Sequence, residues 1–177
     1  MEKSTAASLK SIDKEIAGID TKLKEIISAD IELNRVFKLA TSVDGVGPLT
    51  AMAMIITTNE FKDFTCPKKY NCYAGIAPFE QQSGKSLKLT PRISQRANKE
   101  VKRLLHMSAL TVLKMPNSEY ALYYKRKKEE GKNGMTILNA IRAKLVARVF
   151  ACVRDNRIYS KEFQYPQIEK VSLGLPA

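Results

Sequence analysis

From about residue 6 to residue 40 the chain has no proline and one glycine, and Leu9, Ile12, Ile16, Ile19, Leu23 and Ile26 follow at intervals of 3, 4, 3, 4 and 3. That period keeps one narrow apolar stripe on the same side of an α-helix, so the segment is predicted to be a single unbroken helix. The count continues through Asp30, Leu33 and Phe37. Two arrangements satisfy it, an amphipathic helix lying along its own domain or a coiled coil between subunits, and the strict spacing favours the coiled coil. Asp30 would cost stability if buried on that seam; it either fixes register or marks where the coil ends.

The remainder also reads as helix. Gly45-Val46-Gly47-Pro48 separates two helical patterns, and Ala51, Ala53, Met54 and Ile55 give the second a packing face. Residues 57–66 form a connector anchored by Phe61 and Phe64, after which Thr65 is placed to cap a short helix over 67–74 that Gly75 closes. Thr90-Pro91 and Asn98 are both helix-start signals. Val101, Leu104, Leu105, Ser108, Val112 and Met115 then mark a core face. Helices over about 118–130 and 135–154 follow, the last burying Ile137, Leu138, Ile141, Leu145, Val149 and Val153, with Asn139, Arg142 and Arg148 on other faces. The expected fold class is all-α: a long N-terminal coiled-coil helix, then a helical domain containing a helix-hairpin-helix unit, with a short β-hairpin admitted near 78–90. The expected organisation is a helical arm over 1–40, a helical domain over 41–155 and a loosely ordered tail over 156–177.

Charge narrows the partner. Thirty lysines and arginines against 18 acidic residues leave a formal net charge of +12, the footprint expected of a protein that meets phosphates. No apolar run approaches the roughly 20 residues needed to span a bilayer, and the N-terminus lacks a signal peptide's apolar core. A cytoplasmic nucleic-acid partner and no membrane are therefore expected. The three cysteines, Cys66, Cys72 and Cys152, have no Cys-x-x-Cys spacing and one histidine for company, so reduced, mostly buried thiols and no structural zinc are expected.

Two features are suited to phosphate. Gly45 and Gly47 permit a tight turn and close backbone approach, so amides at the start of the next helix can face a phosphate oxygen; the competing reading is that these glycines only serve packing. Arg92, Arg96, Lys99 and Arg103 are spaced 4, 3 and 4, one basic stripe if the backbone there is helical. Glu100 alone interrupts it, so helix-supporting ion pairs do not account for the run. Lys85 and Lys88 add charge just before it. His106, the sole histidine, reads as a surface or phosphate contact. Tyr120, Tyr123 and Tyr124 do not stand in the array of several arginines and a histidine that a tyrosine nucleophile needs.

Between these features, Gly75 to Lys85 places Ser83 in a glycine-punctuated loop beside the positive charge. A Ser-Gly pair alone is ordinary turn punctuation.

Val43-Asp-Gly-Val-Gly-Pro-Leu-Thr-Ala51, Tyr73-Ala-Gly-Ile-Ala-Pro-Phe-Glu80, Ser83-Gly84 and Arg92-Ile-Ser-Gln-Arg-Ala-Asn98 through Arg103-Leu-Leu105 resemble, in order, the C-terminal domain of the DEDD-type serine transposases of bridge-RNA-guided insertion elements, the IS110/IS116 type. The resemblance covers about residues 39–154. It implies that a serine in this loop attacks DNA and forms a phosphoserine link, that acidic residues of a separate N-terminal domain bind Mg²⁺, that a structured guide RNA is a partner, and that the helical arm joins subunits as a homo-oligomer. Ser83 matches the nucleophile position. Where the family often has two serines before the glycine, Gln82 takes the first place here, and Ser86 does not fit the motif. Lys85, Arg92 and Arg96 would stabilise charge developing on the phosphate.

A serine needs a base, a metal or strong electrostatic help, and no paired carboxylates on an alternating strand pattern are legible. Asp13, Asp20, Asp30, Asp44, Asp63 and Asp155 are scattered. No cofactor is expected in this chain, which reads as a piece of a longer transposase that begins in or just before its coiled coil and is inactive as a recombinase alone. The alternative is a non-catalytic DNA- or RNA-binding and oligomerisation module.

Overall fold

The computed structural model describes residues 2–77, 79–83, 87–92 and 96–161. They form seven helices and one hairpin: α1 Glu2–Ala29, α2 Ile31–Thr41, α3 Pro48–Thr57, α4 Pro67–Tyr73, β1 Phe79–Ser83, β2 Leu87–Arg92, α5 Lys99–Lys114, α6 Glu119–Glu129 and α7 Gly134–Arg154. The all-α expectation holds, with the admitted hairpin present.

The body is assembled on α7. Its sequence carries no acidic residue, and Ile137, Leu138, Ile141, Leu145, Val146, Val149, Phe150 and Cys152 are all buried. An apolar surface that wide cannot be satisfied by one neighbour, and α2, α4, α5 and α6 all pack against it. Aromatic rings lock one end: Phe150 meets Phe61 edge-on at 5.0 Å and Tyr70 at 5.5 Å, and Phe64 lies 5.4 Å from Tyr70. The Tyr70 hydroxyl, 2.8 Å from Thr57 Oγ1, ties α4 to α3, and burial pushes its pKa up to about 12. Phe61 reaches this cluster from a turn in which Asn59, Glu60 and Phe61 all have left-handed φ, an arrangement costing about 1–2 kcal/mol per residue. Thr58 offsets it: its hydroxyl donates to the Met54 carbonyl at 2.7 Å and accepts from the Phe61 amide at 2.9 Å.

The N-terminal helix is not unbroken. Asp30 leaves it with extended backbone angles, and its carboxylate accepts from the amides of Glu32 and Leu33 at 2.9 and 3.0 Å, capping α2. A carboxylate satisfied by two amides is more stable there than on an apolar seam. The expected arm is therefore two helices. Leu33 and Phe37 pack on the core of their own chain, whereas Leu9, Ile12, Ile16, Ile19 and Ile26 are each at least half exposed. Helix α1, about 42 Å long at 1.5 Å per residue, touches only α2 among the described elements.

Further expectations differ from the structure. Thr90-Pro91 lies in strand β2 rather than at a helix start; a proline is tolerated in a two-stranded ribbon, where every strand is an edge. Cys66, not Thr65, occupies the cap of α4, and the backbone amides of Lys69 and Lys68 lower its thiol pKa. Only Cys152 of the three free cysteines is buried. The first residues of the expected tail are tied down: the Tyr159 amide donates to Ser42 Oγ at 2.9 Å, and Lys161 pairs with Asp44 at 3.0 Å. Residues 162–177 lie outside the described residues.

The two glycines of the α2–α3 turn differ in what they do. Gly45 has φ +77°, and a Cβ there would stand 2.3 Å from Val112 Cγ1 and 2.9 Å from the Ser108 carbonyl; Gly47 has open space around it. We expect Gly45→Ala to destabilise by about 2–5 kcal/mol, the sum of a left-handed alanine and an overpacked contact. Gly47→Ala should cost no more than about 1 kcal/mol, the advantage of glycine over alanine at a cap. Urea denaturation of both variants measures the contrast.

Candidate nucleic-acid interface

Close packing of α3 on α5 sets the geometry. Small residues allow it: Ala51 and Ala109 are fully buried, and Thr50 Oγ1 lies 3.1 Å from Ser108 Oγ. The α2–α3 turn is thereby pressed against α5, leaving a groove of about 640 Å³ with Gly45, Gly47 and Pro48 on one wall and Arg103, Met107 and Thr111 on the other. Gly47 caps α3 with no side-chain hydrogen bond and Pro48 follows it. The first-turn amides of α3 thus lack partners inside the helix, as at any helix start. Asp44, beside them, is neutralised by Lys161.

The predicted basic stripe is shorter than expected. Arg92 ends strand β2, Arg96 lies exposed in the turn that follows, and Asn98 caps α5 by accepting from the Val101 amide at 3.0 Å. Of the four, only Lys99 and Arg103 share the helix, and both are exposed. Glu100 takes part of the Arg103 charge, its carboxylate accepting at 2.6 Å; an exposed pair of this kind contributes about 0–1 kcal/mol.

On α5 the positive face runs on through residues the stripe did not include. Lys99, Lys102, Arg103 and His106 line a second cavity of about 270 Å³, and Arg142 and Met135 of α7 close it. Arg142 is 2% exposed. Its Nη2 lies 2.8 Å from His106 Nδ1, its Nε is buried without a hydrogen-bond partner, and burial lowers its pKa. Arg103 lines both cavities, so the glycine turn and this basic pocket form one band. The 3–4 count, continued past Arg103, arrives at His106. The signal for Arg142 was an arginine within a helix otherwise rich in aliphatic residues.

Ser83 ends the hairpin ladder. β1 and β2 are antiparallel, with Phe79 opposite Arg92, Gln81 opposite Leu89, Gln82 opposite Lys88 and Ser83 opposite Leu87, and an irregularity between Phe79 and Gln81. Ser83 and Leu87 thus flank the tip, with Lys88 one position back on β2, and Lys85 lies outside the described residues. Among the described residues the two strands contact only each other. The base is fixed to the body: Asn98 donates its amide to the Tyr73 carbonyl and its Nδ2 to the Tyr73 hydroxyl, both at 2.9 Å. The Ile76 and Ala77 amides both donate to the Asn71 carbonyl.

Tyr120, Tyr123 and Glu119 are engaged within the fold. Tyr120 is buried, burial raises its pKa, and Arg148 donates to its hydroxyl while pairing with Glu119 at 2.6 Å. Lys144 stands 3.7 Å over the Tyr123 ring. Among the described residues, no three histidine, cysteine or carboxylate side chains come together to hold a metal ion, and no helix is long and apolar enough to cross a membrane.

Residues 37–125, the span from α2 into α6 that builds the turn, the hairpin and the α5 face, match the Transposase IS116/IS110/IS902 family. The chain belongs to that family. It is 29% identical over 146 residues to a pilin gene-inverting protein of Moraxella bovis, an alignment covering 82% of this chain and 45% of that protein. An IS110 insertion-element protein of 43.6 kDa from Streptomyces coelicolor is 27% identical over 158 residues, covering 88% and 37%. An IS116 insertion-element protein of 44.8 kDa from Streptomyces clavuligerus is 24% identical over 155 residues. The chain spans less than half the length of these relatives. In this transposase-family chain the exposed face of α5 carries positive charge beside the glycine turn.

Burial first, and the Arg142 charge second, lower the His106 pKa. The unfolded chain binds that proton near pH 6.5, so below this value the unfolded state holds more protons than the folded one. Stability should be full above about pH 6.5 and fall as pH drops through the folded value. The other groups that line its cavity, Lys99, Lys102 and Arg103, are cationic like Arg142, and no carboxylate lines it. Because His106 is the only histidine, its NMR titration checks the direction, and His106→Gln should flatten stability against pH in that window.

Proposed function

We propose that this chain is the DNA-handling, serine-bearing part of a transposase. DNA phosphates are held along the band from the Gly45–Gly47 turn, read as a helix-hairpin-helix unit, through Arg103 to Lys99, with Lys85, Lys88, Arg92 and Arg96 supplied by the hairpin and its exit. Such contacts are independent of base sequence. Ser83, at the tip of a hairpin whose base is fixed to the body, is the nucleophile. Its Oγ forms a bond to phosphorus as one P–O bond of the strand breaks; the hydroxyl proton leaves to a base, and the departing sugar oxygen takes up a proton. Reversal of that attack by a strand hydroxyl reseals the DNA without ATP, because the phosphodiester energy stays in the serine ester.

The observation that carries this reading is the placement of Ser83 as the last paired residue of the hairpin ladder, within a span matching a transposase family. The described carboxylates do not form a metal site: Asp30 caps α2, and Asp44 and Asp155 pair with Lys161 and Arg154. We assign Mg²⁺ binding to acidic residues of a separate domain and route no step through it. A structured guide RNA is the second partner proposed, on the same cationic surface. Subunits are joined through α1, whose exposed aliphatic seam has the coiled-coil period.

Two measurements test these assignments. In the complete parent protein, incubated with guide RNA, Mg²⁺ and labelled target DNA, mass spectrometry should find DNA attached to Ser83 and none in Ser83→Ala. Recombination that persists in Ser83→Ala would reduce the chain to a binding and assembly module. In sedimentation, the 177-residue chain should run as an oligomer, and Ile12→Glu with Ile19→Glu should run as a monomer with unchanged helical content; a monomeric wild-type chain would sink the α1 assignment.

A further inference from the structure

The cavity between α5 and α7 has the makings of a specific anion site. Six residues line it: Lys99, Lys102, Arg103 and His106 of α5, and Met135 and Arg142 of α7. Among the described residues no carboxylate pairs with Arg142; its one hydrogen bond there goes to an imidazole, which carries no compensating negative charge. A guanidinium taken out of water in this way costs several kcal/mol. A hydrophobic side chain of similar volume would remove that cost, as the neighbours Leu138, Ile141 and Leu145 on the same helix illustrate. Since Nδ1 of His106 accepts from Arg142, the ring keeps its proton on Nε2 as a further donor. The volume, about 270 Å³, is several times the roughly 30 Å³ of a water.

We propose that this cavity binds one tetrahedral phosphoryl oxyanion, with Arg142 as the buried charge that it neutralises, His106 and Lys102 as donors and Lys99 at the rim. The chemistry is shared by two sources, a phosphate of a nucleic-acid backbone and free inorganic phosphate. The site depends on the DNA-handling reading above only for the first source. A backbone phosphate seated here would fix the register of the strand against α5, while exposed lysines elsewhere hold it less specifically.

The test uses the single histidine of the 177-residue chain. Inorganic phosphate is titrated at fixed pH and fixed ionic strength made up with chloride, and the His106 ring resonances are followed; a saturable shift is expected. The His106 pKa should rise when phosphate is bound, since an anion favours imidazolium. Arg142→Met should weaken phosphate binding about tenfold or more, the size expected when a buried charge partner is lost, and should raise the melting temperature without phosphate, because the uncompensated charge is gone. Lys102→Gln, a milder change, should weaken binding in the same direction with little effect on folding. A second arm replaces phosphate with a short duplex DNA. A His106 shift with duplex, competed by phosphate and diminished in Arg142→Met, identifies the backbone as the source. A shift with phosphate but none with duplex identifies the free anion, and duplex that fails to bind anywhere counts against the DNA-handling reading while leaving the pocket intact. No His106 response to either ligand in the wild-type chain overturns the proposal. So does an Arg142→Met chain that is less stable yet binds phosphate as before, since Arg142 would then serve only its contact with His106.

Discussion

Burial of α7 on several sides at once is the constraint from which the rest of the architecture follows. A helix that is apolar over most of its circumference must be surrounded, and α2, α4, α5 and α6 do so. Their placement fixes the functional surface. α4, held by the Phe61–Phe150–Tyr70 rings, ends at Tyr73, and Tyr73 in turn takes Asn98 at the start of α5. The two ends of the hairpin are thus anchored to elements that already pack on α7. A hairpin of two strands is marginal alone, and among the described residues this one makes no contact with the helices along its length.

What was legible in the residues was what depends on period and on local caps. The seam of α1, the core faces of α5 and α7, and the cap at Asn98 follow from spacings of 3 and 4 and from one short polar side chain. Asp30 shows where period misleads. It falls on the seam by count, yet two free amides at the start of α2 bind its carboxylate better than a seam could, and the helix divides there. Thr90-Pro91 fails for a different reason. The dipeptide has the same local preference at a helix start and at the edge of a ribbon, and only the pairing of Leu87–Arg92 with Phe79–Ser83 decides between them.

Tertiary contact also decides the glycines. Gly45 and Gly47 look equivalent in the sequence, but only Gly45 lies against another helix, at a distance no side chain would permit. Packing therefore accounts for the first, while the second sits at an uncapped helix start. Arg142 is the opposite case. Its neighbours in sequence are those of a core helix, and nothing local says that an arginine three residues from Asn139 ends beside His106, 36 residues earlier. Burial of a charge is a property of the folded surface, and no window of residues contains it.

These charges bear on stability as well as on partners. With +12 on 177 residues and Lys99, Lys102, Arg103 and Arg142 gathered at one cavity, the free chain carries self-repulsion where its α5 and α7 helices meet. The pairs Arg103–Glu100 and Lys127–Glu130 are exposed and span a single helical turn, so they relieve little of it. A bound anion would relieve more, because at the cavity it acts where water is partly excluded and attraction is less screened. Any ligand that binds only the folded state adds its binding free energy to stability. If the proposed anion site is occupied, the buried Arg142 charge that costs the free body stability would also couple its folding to that ligand.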